Sequence, residues 1–272
     1  MSVAIFLALM LLLFMGMPVA FSLAIVGFVS LLIISGPQAF LGLPTIFYDS
    51  LDSFTLLAIP LYIFMANILN QSKASDQLYE MVKDWVGHFS GGLAITSALL
   101  CTGFAAISGS SVAAAATIGR LSLPKMIDAK YDKRFCYGFI ASGGTLGILI
   151  PPSLFFILVG ALTDVSVGTQ FIAGIIPGLI MSGLFIIFIV VHAKRREYAK
   201  KEPASLKQRL RSTKGGMWLI PLPVVVLGGI YTCIFTPTEA AAVGDVYSLV
   251  ITVISKQLTL KILLDSLLHT LR

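Results

Sequence analysis

Charge is what this sequence has least of. Only 12% of its residues are Asp, Glu, Lys or Arg, against 57% hydrophobic ones. A soluble domain carries about 25% charged residues to cover its surface, whereas a surface facing lipid needs none, so the composition points to the bilayer. Chemically active groups are also scarce. Cys101, Cys136 and Cys233 stand apart in or beside apolar segments, and His88, His192 and His269 are equally scattered. That spacing argues against a disulfide framework and against a metal site. No basic n-region precedes the first apolar run, which is also too long for a signal-peptide core, so 1–34 reads as membrane-embedded.

Present instead are long runs without any Lys, Arg, Asp or Glu: 1–34, 54–71, 90–119, 135–163, 170–193 and 217–236. A seventh run, 240–255, is interrupted by Asp245. About 20 apolar residues span a hydrocarbon core as a helix, and the alternation of a barrel strand is absent. The expected fold class is therefore an all-α polytopic membrane protein.

The net charge of +6 is concentrated. Lys194, Arg195, Arg196, Lys200, Lys201, Lys207, Arg209, Arg211 and Lys214 are opposed only by Glu197 and Glu202. A nucleic-acid tail is one reading of such a run. Its place between two apolar spans favours a cytoplasmic loop, with no nucleic-acid partner. With that loop inside, 170–193 runs inward, 163–168 lies outside and 135–163 starts at a second basic flank, Lys125 to Arg134. Before these, Lys73 to His88 reads as an amphipathic surface helix capped by Ser75, with Leu78, Met81, Val82 and Trp85 as its apolar face.

Two of the spans are interrupted. Ser108-Gly109-Ser110-Ser111 sits in the middle of 90–119, whose two ends both carry charged flanks. Two half-helices meeting at a polar tip, entering and leaving on one side, explain this pattern; an ordinary span packing small residues on a neighbour is the alternative. In 135–163, Gly143, Gly144, Thr145, Gly147, Pro151, Pro152 and Ser153 make a continuous helix improbable, since proline lacks the N–H and pushes its predecessor out of the helical region. An unwound middle is expected there, with a plain proline kink as the alternative.

Such breaks suit ions. A half-helix starting at a Ser-Gly-Ser-Ser tip offers N–H groups and a positive dipole end to an anion. Carbonyls at the opposite end, with Ser and Thr hydroxyls, suit Na⁺. Ser108, Ser110 and Thr145 are the candidate Na⁺ ligands, and no carboxylate lies in either break to carry a proton relay. Serine hydrolysis through Ser110 or Ser111 is the rival chemistry, but no His or Lys base lies in the apolar spans nearby. Near the end, Thr236-Pro237-Thr238-Glu239 opens another apolar run, with Glu239 placed either to cap the helix start or to serve gating and ion linkage. Asp245 must lie near an interface, find a partner or be protonated.

The chain echoes itself. Pro18 and Pro237 each divide two apolar runs, and each second run leads to an Asp-Ser-Leu, at Asp49 and Asp265. A repeat of about 216 residues would leave one whole unit and the opening of a second, and inversion would put the N-terminus outside.

Taken with their order and spacing, Ala106 to Ala113, Gly144 to Ser153, Ala173 to Gly178 and Phe235 to Ala242 resemble the large membrane subunit of TRAP transporters, the tripartite ATP-independent periplasmic transporters. The resemblance implies a non-enzymatic, elevator-type permease of the bacterial inner membrane. It implies Na⁺-coupled import of small organic acids such as dicarboxylates, sialic acid or other sugar acids. A periplasmic substrate-binding protein would deliver the acid, a small membrane subunit would sit beside this one, and no cofactor other than the coupling ion is implied. On this pattern 1–90 forms scaffold helices and an amphipathic arm, and 91–163 the re-entrant hairpin and unwound helix of the transport domain. Residues 164–216 form a span and the basic loop, and 217–272 start a second repeat. Family members are much longer, which leads to the expectation of a truncated product unable to transport alone. Another Na⁺/organic-anion symporter of the same architecture and a non-functional remnant are the rival readings.

Overall fold

The computed structural model describes residues 2–196, 198 and 202–271. Met1 at the N-terminus, and Glu197, Lys200 and Lys201 of the basic segment, lie outside the described residues. Contacts divide the chain into two compact units, Met1–Ser53 and Phe54–Arg272.

The first unit holds α1 (Ser2–Phe14), α2 (Val19–Ser35), a 3₁₀ turn (Pro37–Gly42) and α3 (Leu43–Leu51). The apolar run 1–34 is thus two paired helices of 13 and 17 residues, parted at the turn that ends in Pro18. Pro18 leads into α2 because it has no N–H to leave unsatisfied at a helix start. Phe28 stacks on Phe40 at 6.1 Å and ties α2 to the 3₁₀ turn.

The second unit runs α4 (Ala58–Gln71), α5 (Ala74–Val86), α6 (Gly92–Ser108), α7 (Ser111–Asp128), α8 (Lys133–Gly144), α9 (Leu146–Leu149), α10 (Leu154–Thr163), α11 (Val167–Arg195), α12 (Leu206–Gly216), α13 (Pro221–Tyr231), α14 (Pro237–Ile254) and α15 (Leu260–Leu271). No strand occurs among the described residues. The chain is all-α, and four stretches are long and apolar enough to cross a membrane: Lys133–Thr163, Val167–Arg195, Leu206–Tyr231 and Pro237–Ile254.

Helix α6 is the axis of this unit and packs against α5, α7, α8, α9 and α11. It can be buried on nearly all sides because its side chains are small and its polar ones are satisfied within the helix. Thr96 and Ser97 each donate back to the carbonyl four residues earlier, at 2.7 and 2.8 Å. Beside it, Thr117 of α7 donates to Asn70 of α4 at 3.0 Å.

Several boundaries differ from those expected. The amphipathic helix starts at Ala74, not at a Ser75 cap: Ser75 is buried inside α5, and its hydroxyl donates to the Leu69 carbonyl at 3.2 Å. The second arm of the hairpin runs on to Asp128, past the charge-free run 90–119, and takes in Lys125 at the start of the basic flank. The basic segment is not a loop throughout, because its second half coils into α12 and packs along α5. Two amphipathic helices that bury complementary faces satisfy more backbone than a loop does.

The order helix, proline-led break, helix, amphipathic helix occurs twice. It runs α1–α2–α3 around Pro18 and Asp49, and α13–α14–α15 around Pro237 and Asp265. The second set encloses α4, against which both α14 and α15 pack.

Candidate functional site

The break in the first interrupted span is two residues wide. Helix α6 ends at Ser108, Gly109 takes the left-handed conformation (φ 59°), and Ser110 caps α7, accepting from the Ala113 N–H at 3.4 Å. Gly109 is required twice over. Its positive φ penalises any side chain, and a Cβ built there would lie 2.7 Å from the Pro152 carbonyl oxygen. The Ser108 hydroxyl donates to the Phe104 carbonyl at 3.0 Å, and a weaker contact at 3.4 Å brings it to the Ser110 backbone. α6 and α7 pack on each other, so this is a helical hairpin with its tip at 108–111.

The second break is narrower than expected. Gly143 and Gly144 belong to α8, Thr145 joins it to the single turn α9, and Gly147 lies in that turn. Only Ile150 to Ser153 leave the helical path, through a cis bond between Pro151 and Pro152. The glycines serve close approach rather than unwinding. A Cβ at Gly147 would lie 2.8 Å from the Ser110 carbonyl carbon and 2.9 Å from the Ser111 nitrogen, so the tip rests directly on α9.

The two breaks meet. The Leu154 N–H, the first of α10, donates to the Gly109 carbonyl at 3.1 Å. The starts of α7 and α10 therefore lie together, and first-turn N–H groups have no partners inside their own helices. Two hydroxyls are buried there without a hydrogen-bond partner among the described residues, those of Ser111 and Ser153. Ser153 is wholly buried and caps α10 in position without making a side-chain bond. Buried polar groups are ordinarily paired, so the two orphans mark a place that can take a ligand. Carbonyls and hydroxyls are the donor set of a hard monovalent cation, and helix starts that of an anion.

Not every candidate residue is part of this junction. Thr145 is exposed and its hydroxyl donates to the Ser142 carbonyl at 2.6 Å; no hydrogen bond joins it to Ser108 or Ser110 among the described residues. Thr236 to Glu239 lie elsewhere, at the start of α14. Thr236 and Glu239 form a reciprocal capping box, with the Thr236 N–H donating to the Glu239 carboxylate at 2.8 Å. Pro237 leads the helix, its carbonyl accepts from the Tyr62 hydroxyl at 3.3 Å, and Thr238 donates to the Phe54 carbonyl at 3.0 Å. This motif anchors α14 to the α4 region. One turn and a half further on, Asp245 is buried, with one carboxylate oxygen unpartnered.

The structure adds Gly174 and Gly178 of α11 to the site. Cβ atoms there would meet the Leu149 carbonyl oxygen at 2.5 Å and the Ile150 side chain at 2.8 Å, so α11 backs the second break. A sequence signal existed, since Gly-x-x-x-Gly is the spacing that lets helices approach closely.

Residues 6–272 match the family model described as Tripartite ATP-independent periplasmic transporter, DctM component. The chain belongs to this family. Among its relatives is the C4-dicarboxylate TRAP transporter large permease of Vibrio cholerae, 40% identical over 233 residues, which cover 86% of this chain and 51% of that one. The ectoine/5-hydroxyectoine TRAP transporter large permease of Ruegeria pomeroyi is 35% identical over 257 residues, 93% of this chain and 60% of that one. The sialic acid TRAP transporter large permease of Vibrio cholerae is 34% identical over 266 residues, 95% of this chain and 61% of that one. The chain spans about half the length of the first two curated relatives it matches. Membership makes it a TRAP permease, a non-enzymatic, multi-pass protein of the inner membrane.

Proposed function

We propose that this TRAP permease chain supplies one half of an ion and substrate site at the junction of the hairpin tip with the Ile150–Ser153 break. The function is Na⁺-coupled import of a small organic acid. The observation that supports it most is the Leu154 to Gly109 hydrogen bond, which holds two helix starts together beside the orphan hydroxyls of Ser111 and Ser153. Na⁺ would take carbonyl and hydroxyl oxygens at the tip, with Ser108 and Ser110 as candidate donors; Thr145, turned to the Ser142 carbonyl, lies apart from them. The acid would take the exposed N–H groups. Two of the relatives are named for organic acids, C4-dicarboxylates and sialic acid, which supports that substrate class. The tripartite family description supports a periplasmic binding protein and a small membrane subunit as partners.

In this reading the hairpin and α8–α11 move as an elevator past a scaffold that includes α4 and α13–α15. One excess positive charge carried inward gains about 2.3 kcal/mol per 100 mV of membrane potential. The test is uptake into proteoliposomes holding the chain together with the part that completes the site, the small membrane subunit and a loaded binding protein. Uptake should require an inward Na⁺ gradient and rise with an inside-negative potential. Uptake indifferent to both overturns the proposal.

A further inference from the structure

The outward faces of α12 have no role in the transport site, and their layout is specific. At about 100° per residue, one side of the helix carries Gln208, Ser212, Gly216 and Arg209 and is spent on α5. Gln208 donates to Asp84 at 3.2 Å, a Cβ at Gly216 would lie 3.0 Å from the Gln77 carbonyl, and the Arg209 guanidinium lies 5.6 Å from the centre of the Trp85 ring. The opposite side is open, and it is divided. Leu206 (74% exposed) and Leu210 (62%) form an apolar strip. Lys207, Arg211 and Lys214 form a parallel basic strip, all exposed and none in a salt bridge among the described residues. Trp218, 47% exposed, stands where the helix turns into the apolar stretch that leads to α13.

An apolar strip flanked by a basic one, ending at a tryptophan, is what a helix lying in a lipid–water interface requires: leucines among acyl chains, ammonium and guanidinium groups at headgroup depth. We infer that the open face of α12 is a membrane-surface anchor that binds anionic phospholipid headgroups of the leaflet its own basic segment selects. Charge complementarity decides the occupant. Lys207, Arg211 and Lys214, side by side and in no salt bridge among the described residues, match phosphodiesters. Glu80 is taken up by Lys83 and Lys125 and Asp84 accepts from Gln208, while Asp76 is the one further acid in the groove beside Arg211 and leaves the strip with an excess of positive charge. The inference is independent of the transport reading.

Both tryptophans of the chain, Trp85 and Trp218, flank this helix, and they report on it without labels. The full chain is reconstituted in phosphatidylcholine bilayers containing phosphatidylglycerol, with bromine placed on the acyl chains of one lipid or the other, and tryptophan quenching is compared. Brominated phosphatidylglycerol should quench about threefold more strongly per mole than brominated phosphatidylcholine, and 1 M NaCl should remove the difference. Lys207→Gln with Arg211→Gln and Lys214→Gln should remove it at low salt. Should that variant fail to fold, the salt dependence of the unaltered chain still decides. Equal quenching by the two lipids at low salt, or quenching by neither, overturns the inference.

Discussion

The backbone N–H of Leu154 donates to the carbonyl of Gly109 across 45 positions of sequence, at 3.1 Å. This bond ties the tip of one helical hairpin to the break in the next span. The close approach depends on Gly109 having no side chain, since a Cβ there would lie 3.1 Å from the Leu154 nitrogen and 2.7 Å from the Pro152 carbonyl oxygen. Gly109→Ala should therefore do two kinds of damage. The left-handed backbone costs about 1–2 kcal/mol with a Cβ, and the Pro152 carbonyl must move. We expect a lower unfolding temperature in detergent and loss of uptake by the assembled transporter. An alanine variant with unchanged stability would show that the tip is not packed on the break.

Ser111→Ala and Ser153→Ala separate ligation from packing. Both hydroxyls are buried without protein partners, so removing them from the ion-free protein should be neutral or stabilising, relieving up to about 1–3 kcal/mol of desolvation. If they ligand Na⁺, the same variants lose the rise in melting temperature that NaCl, compared with choline chloride, gives the unaltered protein. A melting temperature that falls in choline chloride would mean that the hydroxyls are structural.

At the start of α14, Thr236→Ala removes the side chain that accepts from the Glu239 N–H and should cost about 1 kcal/mol. Glu239→Gln keeps an acceptor for the Thr236 N–H and should cost less. Chemical unfolding in mixed micelles measures both. Were Glu239→Gln to abolish Na⁺ dependence while sparing stability, gating rather than capping would be its role.

Glu80 of α5 offers a pH test. Partial burial opposes its charge, but hydrogen bonds from Lys83 and Lys125 outweigh this and hold its carboxyl below the ordinary carboxylate value. With a depressed folded value, its stabilising contribution is present above the unfolded pKa and is lost as pH falls through the folded one. The pair with Lys125, at 3.0 Å, links α5 to α7, and both side chains are nearly half exposed, so the effect is at most about 1 kcal/mol. Glu80→Gln should flatten the acid limb of the stability–pH curve by that amount and leave the neutral plateau lower. An unchanged acid limb would assign the acid sensitivity to other carboxylates.

The spans from 133 to 195 were legible because lipid imposes a simple condition, about 20 residues without charge, while the one opening at Pro237 was legible despite Glu239 and Asp245 because the rest of its run is apolar. The hairpin tip was legible for the same reason in reverse, since Ser108 to Ser111 are costly in a continuous apolar helix. The width of the second break was not legible. Glycine weakens a helix and also lets helices approach, and local sequence does not distinguish the two uses. Gly143, Gly144 and Gly147 turned out helical because α6 and the hairpin tip press against them, as Cys101 does at 3.0 Å from a Gly143 Cβ position.

The all-helical membrane class follows from composition and run lengths, because a span is decided within about 20 residues, and the family from the resemblance carried by four short motifs whose residues are read in order along the chain. Which groups meet was decided by tertiary structure alone. Ser75 left its cap for the Leu69 carbonyl, the basic segment coiled onto α5, and the Thr236 to Glu239 cap was tied through Pro237 and Thr238 to Tyr62 and Phe54. The physical reason is common to all three. A buried hydrogen bond or a packed face is won by whichever partner the fold brings within about 3 Å, and that distance depends on helices far apart in the sequence.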